Sequence, residues 1–104
     1  MHKSGDVIIA RMQFTDSNES KIRPALVLFE ELGNVVVAGI TTNLEMKGIP
    51  ITVKEGASQE SILKLNYILT IANKAVIKTV FHLSPEKRRL VIDELNKKLA
   101  GFRS

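Results

Sequence analysis

The residues with the clearest chemical potential in this 104-residue chain are Arg23 and Thr41, which sit at opposite ends of two apolar runs. Arg23-Pro24 opens the run Ala25 to Phe29. After Glu30-Glu31 and a tight Leu32-Gly33-Asn34 turn, the second run, Val35 to Ile40, ends in Thr41-Thr42-Asn43. Two such runs around a Gly-Asn turn predict a β-hairpin, and antiparallel pairing lays the start of the first strand beside the end of the second. A guanidinium and a hydroxyl then share one rim of a sheet. The guanidinium is a planar, permanently charged fork that matches a phosphate, and the hydroxyl can bond a phosphate oxygen or a ribose hydroxyl. The pair reads as a phosphodiester site. On the hairpin alone a plainer account also fits, with Arg-Pro as a solvated strand start and Thr present for its β propensity.

The elements that must position this pair follow from pattern. Asp6 to Met12 is mostly continuous apolar and predicts a first strand buried on both faces or nearly so. Residues 15 to 22 carry turn-formers and charges without periodicity, a polar loop leading to Arg23. Pro24 lacks an N–H, which predicts a strand start or edge and puts Arg23 at the mouth of the sheet. In the hairpin turn Gly33 and Asn34 are the residues able to accept positive φ. Thr42 to Gly48 is a second loop, Ile49 to Val53 a strand with Pro50 marking an edge or bulge, and Glu55 to Gln59 a turn. Ser61 to Leu65 predicts a half-buried strand, whereas Asn66 to Ala75 is ambiguous and has room for one helical turn. Val76 to Leu83 reads as the last strand. Ser84 is then a good N-cap, Pro85 fits the first helical position and Glu86 complements the helix dipole. Leu90, Val91, Leu95 and Leu99, widened by Ile92, form a helical stripe that should cover one end of the sheet, with Gly101 as its stop. No repeat or linker divides the chain, so residues 1–104 are expected to form a single domain, mainly β with a C-terminal helix, in a small, strongly bent antiparallel barrel.

Composition agrees. At 104 residues the core is small enough for dimerisation to be a useful supplement, and 44% hydrophobic residues indicate a globular chain. Cysteine is absent, which removes disulfides and thiolate metal sites and is compatible with a reducing cytoplasm. No run approaches the length of a membrane span and the N-terminus is too polar for a signal peptide, so the expectation is a soluble cytoplasmic protein with no membrane partner. The formal charge of +4, from 15 Lys and Arg against 11 Asp and Glu, favours a polyanionic partner without requiring one. Its clusters are Lys87-Arg88-Arg89 and Lys97-Lys98 in the C-terminal segment, which read as a solvated helix face, and Lys21, Arg23 and Lys47 near the proposed site.

Read in order, Gly5-Asp6-Val7-Ile8, Arg23-Pro24-Ala25-Leu26-Val27, Ile40-Thr41-Thr42, Gly48-Ile49-Pro50-Ile51-Thr52-Val53, and Ser61-Ile62-Leu63 through Leu69-Thr70-Ile71 resemble the MazF/PemK family of toxin endoribonucleases over nearly the whole chain. The resemblance implies an SH3-like barrel of the MazF/CcdB type. It also implies a homodimer with an RNA groove across the subunit junction, and cleavage of single-stranded RNA at short motifs without metal or other cofactor. The partner implied is a small acidic antitoxin whose disordered tail covers the groove. Arg23 and Thr41 match the family's catalytic pair. Cleavage without metal uses the neighbouring 2′-hydroxyl as nucleophile and yields a 2′,3′-cyclic phosphate and a 5′-hydroxyl. Arg23 suits neutralisation of the phosphorane better than the acid-base part the family gives its arginine, because a guanidinium holds its proton too firmly to act as a base. Substrate contacts are expected from Ser17, Glu19 and Lys21 before the arginine and from Thr42, Asn43 and Lys47 in the second loop. The family's Gly-Ser-Glu-Gln-x-Gly-x-Arg-Pro is here Asp16-Ser17-Asn18-Glu19-Ser20-Lys21-Ile22-Arg23-Pro24: Ser17 keeps its spacing, Glu19 sits one place closer to the arginine, and both glycines are lost.

Other chemistries have weaker footing. A two-histidine ribonuclease would need His2 and His82 to converge, yet His2 lies in a terminus expected to be disordered and His82 on a strand is expected to be packed or exposed. Glu30-Glu31 at a turn and Asp93-Glu94 on the helix make no metal cage, so no metal is expected. A non-catalytic relative that binds RNA, or a protein such as gyrase, would share the barrel. The gyrase-poisoning type relies on a C-terminal Trp-Gly-Ile, for which Phe102-Arg103-Ser104 is no match. A peptide-binding adaptor needs more aromatics than Tyr67 and four Phe supply.

Overall fold

The computed structural model describes residues 1–13 and 19–103, and within them the central hairpin is built as the sequence pattern requires. Strand β2 (Ser20–Glu31) runs into β3 (Asn34–Thr41) through a two-residue turn in which Leu32 (φ 52°) and Gly33 (φ 80°) are both left-handed. This is the type I′ arrangement, which needs positive φ at both central positions and whose backbone twist matches that of the flanking strands. The positive-φ pair is therefore Leu32 and Gly33, one place earlier than expected, and Asn34 already pairs with Glu31 as the first residue of β3.

Around this hairpin β1 (Asp6–Gln13), β4 (Ile49–Ile51), β5 (Ser61–Ala72) and β6 (Val76–His82) complete a curled antiparallel sheet of order β4-β5-β3-β2-β1-β6. The expected small barrel is present as this curled half-barrel with one C-terminal helix, α1 (Pro85–Leu99). Both faces carry apolar clusters, since neighbours along one strand point opposite ways. Val7, Leu26, Ala38, Leu63 and Leu83 form one cluster with Val91 of α1; Ile8, Ala10, Ala25, Val27 and Val37 form the other. That is why β1 and the centre of β2 read as unbroken apolar runs. Irregular register between β1 and β6, within β2, and within β5 supplies the bends that curl the sheet.

Several boundaries differ from the sequence expectation for identifiable reasons. β2 starts at Ser20, four residues before Pro24, because β1 pairs with it as far as Gln13↔Ser20. β4 ends at Ile51, since Thr52 caps a 3₁₀ turn (Val53–Glu55) in a reciprocal capping box with Glu55. Ser61 to Leu65 is buried throughout rather than on one face, as β4 and β3 flank it. β5 then continues to Ala72 and leaves only Asn73–Ala75 for the helical turn. Ser84 caps α1 by accepting from Lys87 N–H, but Gly101 does not stop it. Ala100 stays right-handed and the chain tightens into a 3₁₀ turn, Ala100–Arg103. The helical stripe is only partly used: Val91 is buried and Leu95 half-buried, while Ile92 and Leu99 stay exposed. No helix among the described residues is long and apolar enough to cross a membrane.

Two polar links tie α1 to the sheet. Lys87 Nζ donates to Pro50 O (2.7 Å), in the middle of β4, and lies 3.4 Å from Glu55. Asp6 accepts from Lys3 N–H (2.9 Å) and pairs with His82 Nδ1 (2.8 Å), whose Nε2 is 3.0 Å from Arg88 of α1. The ring faces the Asp6 carboxylate through Nδ1 and the Arg88 guanidinium, which can only donate, through Nε2. His82 is thus held within a chain from strand to helix. His2 is also fixed, contrary to expectation, its N–H donating to Glu30 (2.8 Å).

Burial works against the Asp6 carboxylate, yet the Lys3 N–H, the His82 ring and the neighbouring positive charge outweigh it and hold its pKa below the ordinary value. A depressed native pKa means the unfolded chain takes up protons first, so this stabilisation is complete above the free carboxyl's pKa of about 4 and lost as pH falls through the native value. Asp6→Ala is expected to cost about 2–3 kcal/mol at neutral pH. Its stability should also fall less than that of the wild type on acidification, and urea melts at neutral pH and at about pH 3 check both.

Candidate functional site

The groove that gathers Arg23, Thr41 and Thr42 opens because of Pro24. Val27 turns its carbonyl towards β1, where Gly5 N–H donates to it at 2.9 Å. Backbone polar edges alternate along a strand, so Pro24, three residues earlier, turns its nitrogen towards β3. Continuing the register Ala25↔Gly39 would set Pro24 opposite Ile40, but proline has no N–H to give, and the β2–β3 ladder ends at Ala25. Beyond that point β2 stays paired with β1, through Ile9↔Pro24 and Ala10↔Arg23, while β3 stays paired with β5, through Ile40↔Leu63 and Thr41↔Ile62. The two strand ends part. Between them lies a cavity of about 500 Å³ whose lining includes Arg23, Pro24, Thr41, Thr42 and Tyr67. Proline is interior to β2 rather than at a strand start or sheet edge, and it creates the mouth from within.

Carried past its last pair, Ala25↔Gly39, the β2–β3 register would bring Arg23 opposite Thr41, and both residues line the cavity. The Arg23 side chain is exposed on the rim of the groove, and among the described residues its bond is a long one from Nη1 to Ile22 O (3.3 Å). Thr41 is half-buried, and its Oγ1 accepts from Asn43 N–H (3.1 Å), which leaves the hydroxyl proton to donate elsewhere. Asn43 shapes the loop instead of reaching into the groove: its Oδ1 accepts from Glu45 N–H and its carbonyl from Met46 N–H, both at 3.1 Å. Thr42 lines the groove.

The remaining predicted residues lie apart. Lys47 lines a separate depression beside α1 together with Leu90, Glu94 and Lys98. Lys21 is exposed on β2 opposite Met12, outside the lining of the groove, and Glu19 is exposed just before β2. Ser17 falls outside the described residues. Of the basic clusters, Lys87 and Arg88 serve the links to β4 and His82, and Lys97 pairs with Glu94.

Sequence reasoning missed two residues of β5. Tyr67 lines the groove, and Lys64, 8% exposed, places its Nζ 2.6 Å from Lys47 O and 5.5 Å from the centre of the Tyr67 ring. This buried ammonium fixes the end of the loop 42–48 to β5. Gly48 completes the clasp, since a Cβ there would meet Leu63 O at 2.3 Å. A Lys between Leu63 and Leu65 in an otherwise apolar run was the available signal for burial with a dedicated partner. Among the described residues lining the groove, only Arg23 and Tyr67 are titratable, so the site has the character of an anion-binding cleft walled by apolar groups and hydroxyls.

The comparisons with known proteins agree with this architecture. The model of the PemK-like, MazF-like toxins of type II toxin-antitoxin systems matches residues 3–99. Among solved structures, the chain is similar to the Mycobacterium tuberculosis toxin MazF-mt6, with a TM-score of 0.72 and 25% identity, covering 88% of this chain and 93% of that one. No curated protein matches it in sequence.

Pro24→Ala supplies the missing donor. The β2–β3 ladder is expected to extend by one bonded pair, visible as a newly slowed amide at position 24 in hydrogen exchange, and the groove to narrow at Arg23. An amide at that position exchanging as fast as those of exposed residues would show that proline is not what ends the ladder.

Proposed function

The chain belongs to the PemK-like, MazF-like toxins of type II toxin-antitoxin systems, and from that premise we propose that it is a metal-independent endoribonuclease acting on single-stranded RNA in the cytoplasm. The observation that carries the proposal is that Arg23 and Thr41 both line one open groove. In the reaction the 2′-hydroxyl oxygen forms a bond to phosphorus while the bond from phosphorus to the 5′-oxygen breaks. The 2′-hydroxyl loses its proton and the departing oxygen gains one, leaving a 2′,3′-cyclic phosphate and a 5′-hydroxyl. The dianionic phosphorane carries more charge on its equatorial oxygens than the starting diester. A guanidinium beside them therefore stabilises the transition state more than the ground state. Thr41 contributes a directed hydroxyl to one of those oxygens and holds the phosphate at the mouth of the groove.

The partners proposed are an acidic antitoxin, suited to a chain of formal charge +4, and a second copy of the chain. Self-association draws support from an almost wholly apolar cavity of about 520 Å³ between α1 and the sheet, bordered by Phe29, Ile68, Ile92 and Leu99. All four of these side chains are about half exposed, and a patch of this kind is unusual on a lone soluble chain.

Long single-stranded RNA incubated with the protein in EDTA should be cut to cyclic-phosphate ends. Arg23→Ala should lower the rate by about 10²–10³-fold, as loss of a transition-state donor does elsewhere, and Thr41→Ala should also be impaired. RNA left intact by folded wild type would overturn the nuclease reading. Ile92→Glu should convert a dimer to monomer in light scattering, and an unchanged mass would remove this face from the interface.

A further inference from the structure

We propose that Tyr67 is the platform on which a nucleobase beside the scissile phosphate stacks, an inference that rests on the ribonuclease reading above. Its basis is a break in β5. Ala38 pairs with Ile68 but the next residue, Gly39, pairs with Lys64, so residues 65–67 have no partner on β3. Leu65 fills the core, while Asn66 and Tyr67 are turned outwards. Tyr67 is 45% exposed and lines the same cavity as Arg23 and Thr41.

Three features suit this ring to a base. Its neighbour on β3 is Gly39, where a Cβ would lie 3.6 Å from Tyr67 Cβ, so the absence of a side chain leaves space beside the ring. Gly39 and Thr41 lie two residues apart on one face of β3, ~7 Å along the strand, which is about the reach from a phosphate to a base of the adjoining nucleotide. The buried Lys64 ammonium sits 5.5 Å from the ring centre and is anchored to Lys47 O, so the ring is held before any ligand arrives. Unpaired bases of single-stranded RNA are commonly gripped in this way, with an aromatic face for the base and a cation for the backbone.

The chain has one tyrosine and no tryptophan, so its intrinsic tyrosine fluorescence reports on Tyr67 alone. Wild type first maps its cut sites on long single-stranded RNA, and an oligonucleotide spanning one, with 2′-deoxyribose at the scissile nucleotide, serves as an uncleavable probe. Saturating probe should quench the tyrosine emission. Tyr67→Leu should weaken both probe binding and kcat/KM about tenfold or more, whereas Tyr67→Phe should stay within about threefold of wild type. Unchanged emission at saturation, undiminished cleavage by Tyr67→Leu, or an equal loss in Tyr67→Phe would each overturn the inference, the last by assigning the effect to the phenol. Wild type that cuts RNA while Tyr67 proves inert defeats this inference alone. Wild type that neither cuts nor binds RNA defeats the ribonuclease reading with it.

Discussion

The site depends on one missing backbone donor. Every residue in the middle of a sheet has two polar edges to satisfy, and at Pro24 the nitrogen faces β3 with no hydrogen to offer. The chain resolves this by letting the strands separate just where the bond is lost, each half keeping its other neighbour: β2 stays on β1 and β3 on β5. Two well-supported strand ends then face each other across open space, one bearing Arg23 and the other Thr41. The walls of that cleft are the ends of ladders that continue into both apolar clusters.

Most of the fold was legible in the sequence because its signals are local. The hairpin is written in two β-branched runs around Gly33, and the helix in Ser84-Pro85-Glu86 and the stripe that follows. What was hard to read depends on registers set elsewhere. A proline in a strand is ordinarily a mark of an edge, and only the alternation of bonds with β1 shows that Pro24 lies inside the sheet and points its deficiency at β3. The break in β5 was hidden for a similar reason. Nothing in Leu65-Asn66-Tyr67 distinguishes a bulge in β5 from a regularly paired strand until the pairing with β3 is known.

The site followed the same division. Arg23 and Thr41 could be placed at one mouth from the sequence because an antiparallel hairpin lays the start of its first strand near the end of its second. Lys47 and Lys21 could not be excluded, since charge and proximity along the chain say little about which way a loop turns. Lys64 illustrates the converse: a lysine in a buried run is informative about structure, because an ammonium withdrawn from water must find acceptors, and here a loop carbonyl serves. His82, a reasonable suspect for acid-base work, is instead occupied between Asp6 and Arg88.

The narrow strand β4 has a bearing on how the protein behaves when abundant. A terminal strand normally offers a row of free amides and carbonyls on which a neighbouring molecule can add, the first step towards stacking into fibres. In Ile49–Ile51 the central residue is Pro50, which brings no amide, and its carbonyl is already taken by Lys87. That border of the sheet is thereby blunted against uncontrolled polymerisation.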